Sequence, residues 1–277
     1  MADDVAHSLA FHRGLGENIT PSLAVPIEKY VSAEAIAEFA QHAFAKPNIA
    51  LASTGPTSGE VSRWVGEFFK DFPSAGQSAE NKLQPHAASK YFGGEQRVAS
   101  KAGNAVVIGF AGSSAVGTPG FKPELSVLEA LLSGEPTIKW TPGFSLLTQA
   151  TQGFSQLKVS TKNNSYSDAG LFTVTLSGNA SQVAQASKNV ASVLKKVAAG
   201  EVSAEDIKKA SALAKFRALE SLQNIDTSLE ATGLSLVNGG KPVDAGQVAQ
   251  AIDQVTEQKV KDVSFLLRLL FVLTIPA

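Results

Sequence analysis

Apolar and polar residues alternate most clearly on either side of a polar stretch in the middle of the chain. The alternation covers residues 157–160 and returns in residues 172–176. A period of two residues is typical of strands that bury one face. Between them, residues 163–170 supply Asn, Asp and Gly, which favour turns because they tolerate left-handed backbone or bond to their own main chain. We therefore predict two antiparallel strands joined by a polar turn, around which a sheet is organised.

Upstream of this hairpin, apolar residues recur at helical spacing, and short apolar runs separate the helical segments. Capping residues and prolines set the ends of the helices. Helices are predicted at residues 4–13, 32–46, 57–72, 123–133 and 144–154, and strands at residues 49–52, 91–100 and 104–111. In the third helix Val61, Trp64 and Val65 lie on one face, and either Phe68 or Phe69 completes the stripe. We expect these four side chains to be buried.

Helical periodicity dominates the part of the chain that follows the hairpin. Further helices are predicted at residues 183–199, 203–219, 229–237 and 247–255. Strands that are followed by a block of helices indicate an α+β fold. We predict a mainly antiparallel sheet with the helices packed on one side.

Four segments of the sequence resemble one protein family. The segment Y-S-D-A-G-L-F at residues 166–172 resembles part of the second half-domain of pitrilysin-type metallopeptidases and their non-catalytic relatives. Three more segments resemble the same family: A-H-S-L-A-F-H-R-G-L-G-E-N-I at 6–19, V-S-A-E-A-I-A-E-F-A at 31–40 and A-V-V-I-G-F-A-G at 105–112. The relatives include the subunits of mitochondrial processing peptidase and the two core proteins of ubiquinol-cytochrome c reductase.

The resemblance implies a division of the chain into three parts. Residues 1–30 resemble the end of a truncated first half-domain plus a connector, and residues 31–263 resemble a second pitrilysin-type half-domain. Residues 264–277 form an atypical apolar tail, because family members continue with a polar helix and a small strand. The N-terminus has no pattern of an import signal. Either none is needed or the true beginning is missing, and the resemblance favours the second explanation.

The function implied by the resemblance is structural. A core subunit of ubiquinol-cytochrome c reductase would lie on the matrix side of the mitochondrial inner membrane. Its partners would be a core protein 1-like subunit and the other subunits, which would hold it at the membrane without a transmembrane helix of its own. The alternative is a subunit of a zinc-dependent mitochondrial processing peptidase whose metal motif is supplied elsewhere. A free-standing interaction module is a third possibility.

Composition narrows the function classes further. The 277 residues are 44% hydrophobic, enough for one large core or two modest ones. A net charge of −1 argues against a nucleic-acid-binding surface. The chain has no cysteine, which excludes disulfides, thiolate zinc sites and cysteine nucleophiles.

The histidines do not match a zinc peptidase motif. An inverted zinc motif, H-x-x-E-H, places two histidines on one face of a helix with a catalytic glutamate between them. The chain lacks it. His7 and His12 are five residues apart, which places them about 140° apart around a helix, and Glu17 follows Gly16. We therefore expect no metal site, and nothing in the sequence suggests a haem, quinone or other cofactor.

Two other stretches invite a catalytic or ligand-binding interpretation. The loop at residues 109–117 is rich in glycine and could cradle a phosphate, but it lacks the G-K-[ST] ending. Ser113 and Ser114 are not in a G-x-S-x-G elbow and no histidine is near in sequence. Tyr166 and Asp168 could form a hydrogen-bonded pair at the mouth of a site, but we expect them to fix the turn.

A run of lysines completes the candidate sites. The lysines are Lys195, Lys196, Lys208, Lys209 and Lys215. Acidic residues interrupt the run, so we expect a solvated helix face. The sequence thus predicts no catalytic, cofactor-binding or metal-binding residue.

Both ends of the chain are expected to expose apolar surface. Residues 263–275 are almost all apolar, but thirteen residues are too few to cross roughly 30 Å of hydrocarbon as a helix. The N-terminal helix would lack its cover if the first half-domain is absent. From these two features we expect deletion of residues 264–277 to increase the soluble fraction of the chain.

Overall fold

Ten helices and five strands make up the described part of the protein. The computed structural model describes residues 2–19, 31–74, 88–99, 101, 103–133, 143, 145–237, 241–266 and 272–274. The helices are α1 (Ala2–Phe11), α2 (Ala33–Ala43), α3 (Ser58–Phe68), α4 (Pro123–Leu132), α5 (Leu146–Ala150), α6 (Ala180–Ala198), α7 (Ala204–Gln223), α8 (Ile225–Val237), α9 (Ala245–Asp253) and α10 (Glu257–Leu266). The strands are β1 (Gly94–Gln96), β2 (Asn104–Ala111), β3 (Leu157–Ser165), β4 (Gly170–Gly178) and β5 (Val272–Thr274).

Side-chain caps begin several of these helices where the sequence predicts them. Ser32 accepts a hydrogen bond from the Ala35 N–H at the start of α2. Thr57 and Glu60 form a reciprocal capping box at the start of α3. Ser203 accepts from the Asp206 N–H at the start of α7. Each cap satisfies a backbone donor that has no partner inside its helix.

The sheet is mainly antiparallel and has the strand order β1-β5-β2-β4-β3. Only β1 and β5 run parallel to each other. The hairpin is longer than predicted, because Asn163, Asn164 and Ser165 still pair with Phe172, Leu171 and Gly170. The turn is therefore confined to residues 166–169. The predicted strand at 91–100 is reduced to β1.

One face of the sheet carries the main hydrophobic core. Ile108, Phe110, Phe172 and Val174 on this face are at most 2% exposed. The helices complete the core with residues that include Leu128 of α4, Val190 of α6, Ala210 of α7, Ile252 of α9 and Val260 of α10. The predicted class, an α+β fold with a mainly antiparallel sheet and a helical layer, is confirmed.

Helix α1 covers part of the opposite face of the same sheet. Ala6, Ala10 and Phe11 are buried there against Val107 of β2 and Leu171 of β4. The expectation that this helix lacks a cover is therefore wrong. The alternation of β2 and β4 supplies apolar side chains to both faces, so the helix finds its cover within the chain.

Helices α2 and α3 form as predicted, but the described residues do not bury their apolar stripes. Trp64 is 40% exposed and Phe68 is 68% exposed, so the predicted buried stripe is wrong. The strand predicted at residues 49–52 is also absent, and this segment lies beside α3 without regular pairing.

The C-terminal tail contributes a strand to the interior of the sheet. Val272–Thr274 forms β5, which pairs with Val107, Ile108 and Gly109 of β2 and with β1 on its other side. Residues 267–271 and 275–277 lie outside the described part of the chain. Strand β5 joins β1 to the rest of the sheet. The expectation that deletion of residues 264–277 increases the soluble fraction is therefore replaced by the opposite expectation.

A pair of neighbouring substitutions tests the two faces of β4. Phe172→Ala removes a ring that is 0% exposed in the main core, and we expect it to cost about 3–5 kcal/mol of unfolding free energy. Thr173 lies on the other face and is also buried, and its hydroxyl donates to the Lys162 carbonyl at 3.3 Å. Thr173→Ala should cost about 0.5–1.5 kcal/mol. Urea denaturation measures both, and equal losses would show that the two faces are wrongly assigned.

Truncation tests the role of β5. We expect deletion of residues 264–277 to lower the melting temperature and the soluble fraction, because it removes β5 and leaves β1 and the edge of β2 unpaired. The matched control deletes only residues 275–277, which follow β5, and should change neither quantity. A longer deletion that melts at the same temperature as the control would contradict the placement of β5.

Candidate functional site at the turn between β3 and β4

The turn between β3 and β4 lies where three segments of the chain meet without room for side chains. A Cβ added to Gly170 would overlap the Ser113 carbonyl oxygen. A Cβ added to Gly112 would lie 2.5 Å from the side-chain oxygen of Asn163. The glycines of the A-V-V-I-G-F-A-G and Y-S-D-A-G-L-F segments therefore permit a close backbone approach.

Tyr166 connects this turn to α1 through His7. The Tyr166 hydroxyl lies 2.6 Å from His7 Nε2, and His7 Nδ1 lies 2.7 Å from the Asp3 carbonyl oxygen. Because a carbonyl oxygen only accepts, Nδ1 carries a proton, and in the corresponding neutral tautomer Nε2 accepts from the tyrosine hydroxyl. Burial raises the pKa of Tyr166, and the negative charge of Asp3 raises it further. The phenol therefore remains protonated and able to donate.

Asp168 connects the same turn to the segment before β1. Its carboxylate accepts from the Ser89 backbone N–H at 2.7 Å and from the Ser89 hydroxyl at 3.1 Å. The turn itself is closed by the Tyr166 N–H, which donates to the Ala169 carbonyl at 2.9 Å. Tyr166 and Asp168 thus use their side chains on two different segments and not on each other. They tie the turn to α1 and to the segment before β1, whereas a backbone hydrogen bond closes the turn itself.

Asn163 forms the other side of this junction. Its side-chain oxygen accepts from the Ser113 N–H at 2.9 Å, and its side-chain nitrogen donates to the Ser165 hydroxyl at 2.7 Å. Its backbone N–H donates to Glu129 of α4 at 3.2 Å. Burial raises the pKa of Glu129, an effect that this hydrogen bond and the charges of Arg217 and Lys162 oppose. The carboxyl group therefore joins β3 to α4.

The glycine-rich loop does not present a phosphate cradle. The N–H groups of Gly112, Ser113, Ala115 and Thr118 all donate within the protein, to backbone or side-chain oxygens. A phosphate-binding loop needs several backbone donors free to converge on the anion. Three of these donors instead hold the loop against Asn163, Tyr166 and Gly170, and the Thr118 N–H closes a turn within the loop.

The two serines of this loop are also engaged. The Ser113 hydroxyl donates to the Ser114 carbonyl and accepts from the Lys122 N–H at 2.7 Å. The Ser114 hydroxyl shares a hydrogen bond of 2.7 Å with the Thr118 hydroxyl. Both serines are buried, at 1% and 2% exposure. Neither is bonded to a histidine that could act as a general base.

His7 and His12 lie in different environments. His12 has a positive φ of 61° and stacks on Phe92 with ring centroids 4.5 Å apart, whereas His7 faces Tyr166. No group of three or more His, Cys, Asp or Glu residues in the described ranges is placed to hold a metal ion. His86 lies outside those ranges.

The lysine run is part of a solvated helical surface. Lys209 pairs with Glu205 at 2.7 Å, and Lys215 pairs with Asp253 at 2.5 Å. The other three lysines of the run are exposed. Such pairs at the surface contribute little to stability, and the interpretation as a solvated face agrees with this geometry.

An open cleft beside the glycine-rich loop was not evident from the sequence. It has a volume of about 520 Å³ and lies between Val116 and Phe121 on one side and Val248 of α9 on the other. Sequence periodicity gives no signal for it, because the loop and the helix are far apart in the chain.

No helix in the described ranges is long and apolar enough to cross a membrane.

A family model and two relatives match most of this chain in sequence. The model described as Peptidase M16 inactive domain matches residues 30–213. Cytochrome b-c1 complex subunit 2 of Neurospora crassa is 41% identical over 261 residues, which are 94% of this chain and 56% of the relative. The subunit 2 of Cryptococcus neoformans is 34% identical over 278 residues, covering 95% of this chain and 60% of the relative.

A solved structure shows the same fold. A chain of complex III2 from Candida albicans, with Inz-5 bound, superposes with a TM-score of 0.73 at 12% identity. The match covers 95% of this chain and 62% of that chain. This chain therefore spans a little over half the length of the relatives. The sequence motifs quoted above resemble fungal core protein 2 in particular, and the similarities confirm that resemblance.

A double-mutant cycle tests the contact between α1 and the turn. Tyr166→Phe should cost about 0.5–1.5 kcal/mol, the net value of one hydrogen bond. His7→Ala should cost more, because it also removes the edge contact with the Tyr166 ring. If the two groups bond to each other, the double mutant should lose less than the sum of the single losses. Additive losses in urea denaturation would contradict the contact.

Proposed function

Because this chain belongs to the Peptidase M16 inactive-domain family, we propose that it is a non-catalytic structural part of the mitochondrial cytochrome b-c1 complex. The similarity to the fungal subunit 2 proteins along nearly the whole chain carries this proposal. The relatives are named as subunits of the cytochrome b-c1 complex, and the proposal extends that role to this chain.

The geometry of the turn supports a structural role. The polar groups that could do chemistry, on Ser113, Ser114, His7, Tyr166 and Asp168, are all engaged in hydrogen bonds within the protein. An acyl-transfer site needs a nucleophile bonded to a base, and a zinc site needs converging ligands. In the described ranges neither Ser113 nor Ser114 is bonded to a base, and no group of three or more potential ligands is placed to hold a metal ion. The Tyr166 hydroxyl is bonded to His7, but burial raises the pKa of this phenol.

In this proposal the protein lies on the matrix side of the mitochondrial inner membrane. It is held there by its partner subunits, among them a core protein 1-like subunit. Residues 31–263 are its second half-domain, and residues 1–30 are the end of a first half-domain plus a connector. No cofactor, metal or nucleic acid belongs to this role.

The alternative is a subunit of a zinc-dependent mitochondrial processing peptidase. The family resemblance includes such subunits, and a metal motif in another part of the protein or in a partner would supply the chemistry. The two functions differ in zinc content, in cleavage of presequence peptides and in the complex with which the protein is isolated.

The proposal is tested on the full-length protein that carries this sequence, tagged and isolated from its own mitochondria in mild detergent. We expect it to copurify with cytochrome b, cytochrome c1 and the other subunits in equal amounts. We also expect less than stoichiometric zinc and no chelator-sensitive cleavage of a presequence peptide. Gly170→Leu, which the close approach of Ser113 excludes, should abolish assembly, whereas Gly233→Leu in α8 serves as a control at a glycine with open space around it and no positive φ.

The assembly of both variants is compared at equal amounts of folded protein, which circular dichroism measures. Copurification with a processing peptidase, together with stoichiometric zinc and chelator-sensitive cleavage, would replace the proposal with the alternative.

A further inference from the structure

We draw no further inference here: the strongest candidate, the open cleft of about 520 Å³ between the glycine-rich loop after β2 and helix α9, carries nothing, because nothing in the structure shows what covers it.

Discussion

Strand β4 is the element on which the rest of the structure depends, because it is paired along both edges and covered on both faces. It pairs with β2 on one side and β3 on the other. Its Phe172, Val174 and Leu176 face the helical layer, and Leu171 faces α1. Pairing satisfies the backbone groups of the strand, so its side chains can be buried on both faces without leaving polar atoms unbonded.

The turn that precedes β4 is hydrogen-bonded to distant parts of the chain. The contact between Tyr166 and His7 joins residues 159 positions apart, and that between Asp168 and Ser89 joins residues 79 positions apart. Gly170 lets the loop after β2 approach the backbone at the same point. A polar site built in this way fixes geometry, and the same groups are not free to bind or activate a substrate. This use of polar groups supports the role of a structural subunit.

The elements that the sequence predicts well are those set by local patterns. The hairpin follows from period-two alternation, and α2, α3 and α7 begin at the predicted caps because these caps bond within a few residues. Pairing of strands is a long-range property, so neither the absence of a strand at residues 49–52 nor the insertion of β5 beside β2 could be read from periodicity. The contact of Tyr166 with His7 was missed for the same reason, although both residues lie in segments that resemble the family. Exposure of Trp64 and Phe68 could not be predicted either, because a helical stripe indicates which face is apolar and not what covers it.

Hydrogen exchange of the backbone amides tests the central role of β4 most directly. In the intact chain at neutral pH, the amides of residues 171–176 should exchange only through global unfolding, and they should be the slowest of the described residues. The amides of α2 and α3, whose faces contribute to neither core, should exchange faster through local opening. If residues 171–176 exchange as fast as those of α3 while α6 and α7 stay protected, the fold depends on the helical layer and not on β4.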